Sequence, residues 1–212
     1  MKILDEWLGE QAEHFLRHDF GRRPCSRPHT ARAALGICGW RNVETMLCSH
    51  ADPDVLLVAR GREVASAVPR SLDELGFLFA RGVGIVVRHA ERLHAALRQY
   101  CAALAQDVPG EQRVLIFATP RGVHGFGWHY DAEEVFIVQT AGRKDYYFRA
   151  NTIDPEPRRG AQPDFSRIRE ETTPLMGCTL LAGDWLYLPR GYWHVAMPME
   201  DSLSISIGIF PA

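Results

Sequence analysis

Two residue types that bind metal ions stand two positions apart in Gly127-Trp128-His129-Tyr130-Asp131, just before an apolar, strand-like run, Glu134-Val135-Phe136-Ile137-Val138. In an extended chain, residues i and i+2 project from the same face. The His129 imidazole and the Asp131 carboxylate are therefore expected side by side, with Tyr130 pointing away. A third donor has to come from a neighbouring strand. The best placed is His194, in Gly183-Asp184-Trp185-Leu186-Tyr187-Leu188-Pro189-Arg190-Gly191-Tyr192-Trp193-His194, a strand followed by a Pro-x-Gly turn. Two histidines and one carboxylate on one side of a metal leave the opposite positions open, which suits non-haem Fe(II) and oxygen activation. An isolated His-x-Asp is common, and a hydrogen-bonded pair in a strand beside a partly buried His194 is the alternative. The downstream sequence favours the metal.

Counting on from His129, the inward-facing set is Asp131, Glu133, Val135, Ile137 and Gln139, and Ala141-Gly142 then turns the chain back through Arg143-Lys144-Asp145-Tyr146-Tyr147-Phe148. One of the two basic residues can face inward above the metal, where a cation is costly unless an anion meets it. An acidic cosubstrate would be that anion; an Arg-Lys pair at the surface is the alternative.

The elements that must position these groups lie mostly in the second half. Val114-Leu115-Ile116-Phe117, Glu134-Val135-Phe136-Ile137-Val138, Tyr146-Tyr147-Phe148, Thr179-Leu180-Leu181, Trp185-Leu186-Tyr187-Leu188 and Leu203-Ser204-Ile205-Ser206-Ile207 read as short strands between Gly, Pro and Asp turns, the grammar of a sandwich or barrel. Before them, residues 5–18 are amphipathic until Arg22-Arg23-Pro24 and Pro28 break the pattern, and Val55-Leu56-Leu57-Val58-Ala59 is a short buried strand. Ser71-Leu72-Asp73-Glu74 has capping-box spacing and predicts a helix to about Ala80, followed by a strand at Gly84-Ile85-Val86-Val87. Over 88–105, Leu93, Leu97, Tyr100 and Leu104 line one face of a packing helix, with His89 and His94 facing solvent. The expected organisation is a single domain over 1–212, with a helical and mixed lead-in over 1–108 and a barrel core over 109–212.

Composition bounds the partners. A net charge of -2 gives no electrostatic reason to expect direct nucleic-acid binding or an anionic membrane. The start Met1-Lys2-Ile3-Leu4-Asp5-Glu6-Trp7 lacks a signal peptide's apolar run, no stretch reaches membrane-spanning length, and a cytoplasmic location is expected. The five scattered cysteines, Cys25, Cys38, Cys48, Cys101 and Cys178, are read as reduced thiols, mostly core fillers.

Taken together, Gly127-Trp128-His129-Tyr130-Asp131, then Val135-Phe136-Ile137-Val138-Gln139 with Gly142-Arg143-Lys144, then Gly183-Asp184-Trp185-Leu186-Tyr187-Leu188-Pro189 with Gly191-Tyr192-Trp193-His194 resemble the Jumonji-type branch of the cupin superfamily, most of all its ribosomal-oxygenase-like subgroup. The resemblance covers roughly residues 75–210, with a looser similarity from Phe15 to Pro24. It implies a mainly β chain with N-terminal helices, folded as a double-stranded β-helix, a jelly-roll barrel. It further implies Fe(II) held by His129, Asp131 and His194, with 2-oxoglutarate as cosubstrate and O2 as oxidant. In such enzymes a basic residue fifteen positions after the first histidine binds the distal carboxylate of 2-oxoglutarate, and here that residue is Lys144. Relatives that carry arginine there present a bidentate fork, where lysine presents a point charge.

Ser204, Ser206 and Gly208 alternate with large apolar residues on the last strand. Their small, polar face either lines the cosubstrate pocket or merely fits a crowded interior. Trp128, Tyr130, Tyr192 and Trp193 are expected to pack around the ligands, and His124 to be a loop residue in a glycine-rich stretch, a substrate contact being the alternative.

The implied activity is hydroxylation of an amino-acid side chain in a peptide, protein or small amino-acid-like acceptor. The alternatives are a metal-binding cupin acting as a binding or regulatory module, and a cupin enzyme independent of 2-oxoglutarate, which would more typically add a third histidine where Asp131 stands. The ribosomal-protein hydroxylases that the chain resembles carry helical and winged-helix regions after the barrel, whereas this sequence ends at Phe210-Pro211-Ala212. On that ground, and because the charged excursion over 149–174 reads as a flexible lid, a small acceptor or a short flexible peptide is expected.

Overall fold

The computed structural model describes residues 2–49 and 52–211. Met1 and Ala212, the outermost residues of the terminal stretches read above, lie outside the described residues. The N-terminal amphipathic stretch winds as α1 (Ile3–Leu8), a 3-10 turn, α2 (Ala12–His14) and a π turn over Phe15–Asp19. Despite these changes of pitch, Ile3, Leu4, Trp7, Leu8, Ala12 and Phe15 all stay buried on one side. After α3 (Trp40–Leu47), α4 (Leu72–Ala80) begins as expected, with the Ser71 hydroxyl accepting from the Glu74 amide at 3.2 Å. The Glu74 carboxylate reaches one residue further back than a capping box requires, to the amide of Arg70.

The helix expected over 88–105 is two helices, α5 (Ala90–Leu93) and α6 (Ala95–Asp107). His89 has a φ of 53° and His94 is extended, so each starts a new helix. His94 is not simply solvent-facing: its Nδ1 accepts from the Leu97 amide at 3.3 Å and its Nε2 lies 3.3 Å from the Asn42 amide nitrogen.

Among the described residues, eleven strands form two antiparallel sheets. The large sheet contains β1 (Cys25–Arg27), β2 (Asp54–Ala59), β3 (Arg62–Glu63), β4 (Gly84–Arg88), β5 (Gly110–Thr119), β6 (Glu134–Ala141), β9 (Trp185–Leu188) and β11 (Ser202–Pro211), in the order β1-β9-β6-β11-β5-β4-β2-β3. The small sheet contains β7 (Lys144–Arg149), β8 (Met176–Leu180) and β10 (Trp193–Pro198), in the order β10-β7-β8. All the strands read from the sequence are present, while β1, β3 and β10 were not foreseen. The lead-in therefore contributes four strands, β1 to β4, to the large sheet in addition to its helices.

Strand alternation separates two apolar layers. Phe136, Val138, Ile205, Ile207 and Ile209 face away from the barrel and pack with Trp7, Phe15, Leu97 and Leu104 of the helices. Val135, Ile137, Leu186 and Leu188 face inward and meet Tyr146, Phe148 and Leu180 of the small sheet. This is the two-layer jelly roll implied by the resemblance. The turn from β6 to β7 needs Gly142, whose φ is 64° and where a Cβ would lie 2.3 Å from the Asp201 carbonyl oxygen.

Residues 150–175 leave the small sheet after β7 and return to it at β8, touching the large sheet on the way. The base is closed where the Glu171 carboxylate accepts from the Thr152 amide at 2.7 Å and the Thr173 hydroxyl donates to the Ala150 carbonyl at 2.6 Å. Further out, Arg159 grips Glu111 of β5 through two hydrogen bonds, at 2.5 and 2.6 Å. Phe165 packs edge-on to Tyr130 with ring centres 5.5 Å apart. In place of the expected flexible lid, the segment is a strap tied at its base, its middle and its far side.

Candidate metal centre

Residues 120–133 contain no strand, so the strand parity that predicted adjacent His129 and Asp131 side chains is not what brings the ligands together. A single antiparallel bridge does so. The His129 amide donates to the His194 carbonyl at 3.1 Å, and the His194 amide donates to the His129 carbonyl at 2.8 Å. Residues directly opposite in such a pair share a face, and the two imidazole centres lie 4.2 Å apart. The Gly191 amide donates to the Asp131 carbonyl at 2.8 Å and holds the loop against the start of β10.

Each imidazole is oriented through its Nδ1, which lies 2.8 Å from the Gly127 carbonyl oxygen in His129 and 2.9 Å from the Tyr192 carbonyl oxygen in His194. With Nδ1 protonated to donate these bonds, both Nε2 lone pairs are free. His194 Nε2 lies 3.5 Å from Asp131 Oδ2, and one donor atom from each of His129, Asp131 and His194 falls within 4.8 Å of the others. Burial, reinforced by the neighbouring His129, pushes the His194 imidazole down to about 4, so it is neutral near pH 7, the form that binds a metal. Two imidazole nitrogens and one carboxylate oxygen converging in this way fit a divalent transition metal with open positions.

The surrounding rings divide as expected. Tyr130 turns away from the ligands and packs at right angles on Trp193, 4.6 Å between centres, and its hydroxyl donates to Asp154 at 3.0 Å. Tyr192 is partly buried and donates to the Arg22 carbonyl at 3.3 Å, and Trp128 is half-buried. His124 is half-buried in the loop before His129, its Nδ1 without a partner among the described residues. Two rings were not singled out in the sequence: Phe126 and Phe165 flank His129 at 5.8 and 6.1 Å.

Deeper in the barrel, Lys144 faces inward and is 2 % exposed. Its Nζ donates to the Ser204 hydroxyl at 2.9 Å and sits 5.8 Å from the centre of the Phe117 ring. No carboxylate is paired with it among the described residues, and burial alone pushes its pKa down to about 7. Arg143 takes the opposite face, where its Nε lies 3.8 Å from Asp145. Gln139 joins this layer fully buried, with its Oε1 unpartnered. Ser204 is thus in contact with the lysine, whereas Ser206 lies half-buried one inward position further along β11. On β7 the inward residues run Lys144, Tyr146, Phe148, and Phe148 stands opposite His194. The lysine is therefore four residues, about 13 Å of strand, from the ligand pair, a gap its long side chain partly spans.

Glu133 completes the inner face near the mouth. Burial, then the nearby Asp131 carboxylate, pushes its pKa up to about 7.

Comparison with known proteins agrees with this geometry. The family model described as the JmjC domain matches residues 90–212. Over 129 residues the chain is 33 % identical to the bifunctional lysine-specific demethylase and histidyl-hydroxylase NO66 of Drosophila pseudoobscura pseudoobscura, covering 61 % of this chain and 13 % of that protein. Over 162 residues it is 28 % identical to ribosomal oxygenase 1 of Gallus gallus, covering 74 % of this chain and 26 % of the relative. The fold is similar to that of YcfD, a ribosomal oxygenase from Escherichia coli, in complex with cobalt and 2-oxoglutarate, with a TM-score of 0.71 and 19 % identity over 94 % of this chain. The chain spans about half of that solved protein, 51 %, and a smaller share of the sequence relatives. With the family model matching more than half of its length, the chain belongs to the JmjC-domain family.

Proposed function

We propose that this protein is an Fe(II)- and 2-oxoglutarate-dependent oxygenase that hydroxylates a side chain of a peptide, protein or amino-acid-like acceptor. The observation that carries this reading is Lys144, a lysine sealed inside the same barrel as a His-Asp-His triad, with a serine hydroxyl and, among the described residues, no carboxylate as its partner. A metal-binding module without oxygenase activity has no use for that cation, which costs stability wherever no anion meets it. An anionic cosubstrate with one end on Lys144 and the other on the metal relieves the cost.

His129, Asp131 and His194 would hold the iron, and Lys144 with Ser204 would receive the distal carboxylate of 2-oxoglutarate. When bound, iron and cosubstrate supply an oxidation in which O2 and 2-oxoglutarate give succinate and CO2 while a C–H bond of the acceptor becomes C–OH. The chain's own part is to keep both Nε2 atoms aimed by the carbonyls of Gly127 and Tyr192, to orient the cosubstrate through the lysine, and to exclude water at the closed end. Phe126 and Phe165 wall the side from which the acceptor approaches. Phe165 of the strap stands 6.1 Å from the His129 ring, so part of the wall beside the ligands is the strap itself, which supports a small acceptor or a short flexible peptide.

Demethylation is the second reading, favoured by the name of the NO66 relative. It needs the same site, because hydroxylating an N-methyl carbon releases formaldehyde. Succinate release by the purified, Fe(II)-loaded protein with and without acceptor peptides tests the reading, and a formaldehyde assay separates the two outcomes. Absence of both 2-oxoglutarate binding and succinate release would overturn it.

A further inference from the structure

The jelly roll is not closed all round. β1 ends the large sheet and β8 ends the small one, so each has an edge that no other strand pairs among the described residues. Both strands run toward the turn between β8 and β9. There the Asp184 carboxylate accepts from the Leu181 amide at 2.9 Å and the His29 amide at 2.7 Å, and the Ala31 amide donates to the Gly183 carbonyl at 2.9 Å. One end of the gap is thus pinned shut. At the other end the edges part around a cavity of about 470 Å³, whose lining includes Arg23, Pro24, Phe148, Met176, Leu186 and Tyr192. Its walls are mostly apolar, and Met176 is 40 % exposed there beside Leu175, which is 57 % exposed.

This cavity is distinct from the metal centre. On the inner face of the small sheet, Phe148 stands between His194 of β10 and Met176 of β8, so it divides the two spaces. The charge at the rim is one-sided. Arg22 and Arg23 precede β1 and Arg27 ends it; Arg22 donates to the Arg17 carbonyl at 3.1 Å and Arg27 to the Leu8 carbonyl at 3.0 Å, but none of the three forms an ion pair among the described residues. The one acidic residue between positions 17 and 27, Asp19, lies 4.0 Å from His14 Nε2.

We propose that this cleft takes an extended segment of a partner protein as an added strand, a segment in which acidic and apolar residues alternate. The unpaired main-chain groups of β1 and β8 supply hydrogen bonds to its backbone, and because the two strands run the same way, one inserted strand can lie antiparallel to both. Alternate side chains of a strand leave on opposite faces. The apolar ones enter the cavity over Phe148, Met176 and Leu186, and the acidic ones meet the arginines at the rim, a complementarity that selects the partner by charge. The proposal is independent of the oxygenase reading and requires neither metal nor cosubstrate.

The test uses a fluorescein-labelled octapeptide of alternating glutamate and valine, with binding followed by anisotropy on the full metal-free chain. It should bind at least about tenfold more tightly than a lysine-valine or a glutamate-serine octapeptide, and N-methylation of every second peptide nitrogen should remove most of that affinity. Arg23→Glu, at an exposed position, should reverse the order of the glutamate-valine and lysine-valine peptides without moving the melting temperature. On binding, amide exchange should slow across residues 25–27 and 176–180, and adding Mn(II) with 2-oxoglutarate should leave the affinity unchanged. Equal binding of all the peptides, binding indifferent to N-methylation, or protection that misses both strands overturns the proposal. So does displacement of the peptide by an equal concentration of octanoate, which would make the cavity a site for small apolar acids. A dimer of the free chain that Met176→Lys disperses would give the two edges to a second copy and overturn it as well.

Discussion

The two sheets of the barrel share antiparallel pairing but differ in what covers them. The large sheet carries helices on its outer face, so Phe136, packed among Trp7, Phe15, Phe20, Trp185 and Tyr187, sees no solvent. The small sheet shows its outer face to solvent: Tyr147 and Met176 are 40 % exposed, and Leu175, Leu181 and Met199 near its strand ends are exposed too. Yet the small sheet supplies His194 and Lys144, while the loop before β6 supplies His129 and Asp131. The thick layer holds the fold and the thin layer carries half the chemistry, so changes that destabilise the molecule and changes that silence its site should separate.

The largest effect expected in that comparison is on stability. Phe136→Ala should cost about 3–5 kcal/mol in chemical denaturation, whereas Tyr147→Ala on the thin sheet should stay within about 0.5 kcal/mol. Equal losses would mean that the small sheet is held by more than its inner face. Next, Asp131→Ala or His194→Ala should weaken Mn(II) binding by more than about 100-fold while the melting temperature of the metal-free protein moves little. A large fall in that temperature would tie the ligands to the core after all. Third, Lys144→Ala should weaken 2-oxoglutarate binding by tenfold or more, on the scale of about 1.5–3 kcal/mol for a charged hydrogen bond, and Arg143→Ala by less than about twofold. A reversed order would put the inward face on the other residue.

The pH dependence gives a smaller and sharper test. The Lys144 pKa falls from its ordinary value of 10.5 to about 7 in the folded protein. Between those values the unfolded chain holds a proton that the native state has shed, so the native state gains stability as pH rises from about 7 toward about 10.5. Without cosubstrate, the stability of wild type relative to Lys144→Met should rise across that window, and saturating 2-oxoglutarate should flatten the rise. The smallest effect is on the strap: removing residues 155–170 should reduce acceptor-stimulated succinate release more than 2-oxoglutarate affinity, and equal losses would place the strap in the cosubstrate site.

Much of this was legible in the sequence because it depends on parity. Alternation from Val135 to Gln139 gave the inner wall, and the Gly142 turn fixed the phase in which Lys144 points in and Arg143 out. What depends on distant pairing was not legible. The strand carrying His194 is bracketed by Gly191 and Pro198 and takes its order from β7, and β1 is three residues that pair with β9 far along the chain. The convergence of His129, Asp131 and His194 was expected from a continuous strand, whereas a single bridge joins His129 to His194 and the Gly191 amide holds the Asp131 main chain. Helix periodicity ran through His94 because a capping histidine keeps the spacing of the residues around it.

The bridge between His129 and His194 also bears on how metal is taken up. Because two main-chain hydrogen bonds already clamp the two ligand residues together, and the Gly191 amide holds the Asp131 main chain, arrival of the ion requires no folding step. Uptake should proceed at the pace of ligand exchange on the hydrated cation, with a single rate that rises in proportion to metal concentration. Any gain in melting temperature would then be plain mass action, growing with the logarithm of free metal above its dissociation constant.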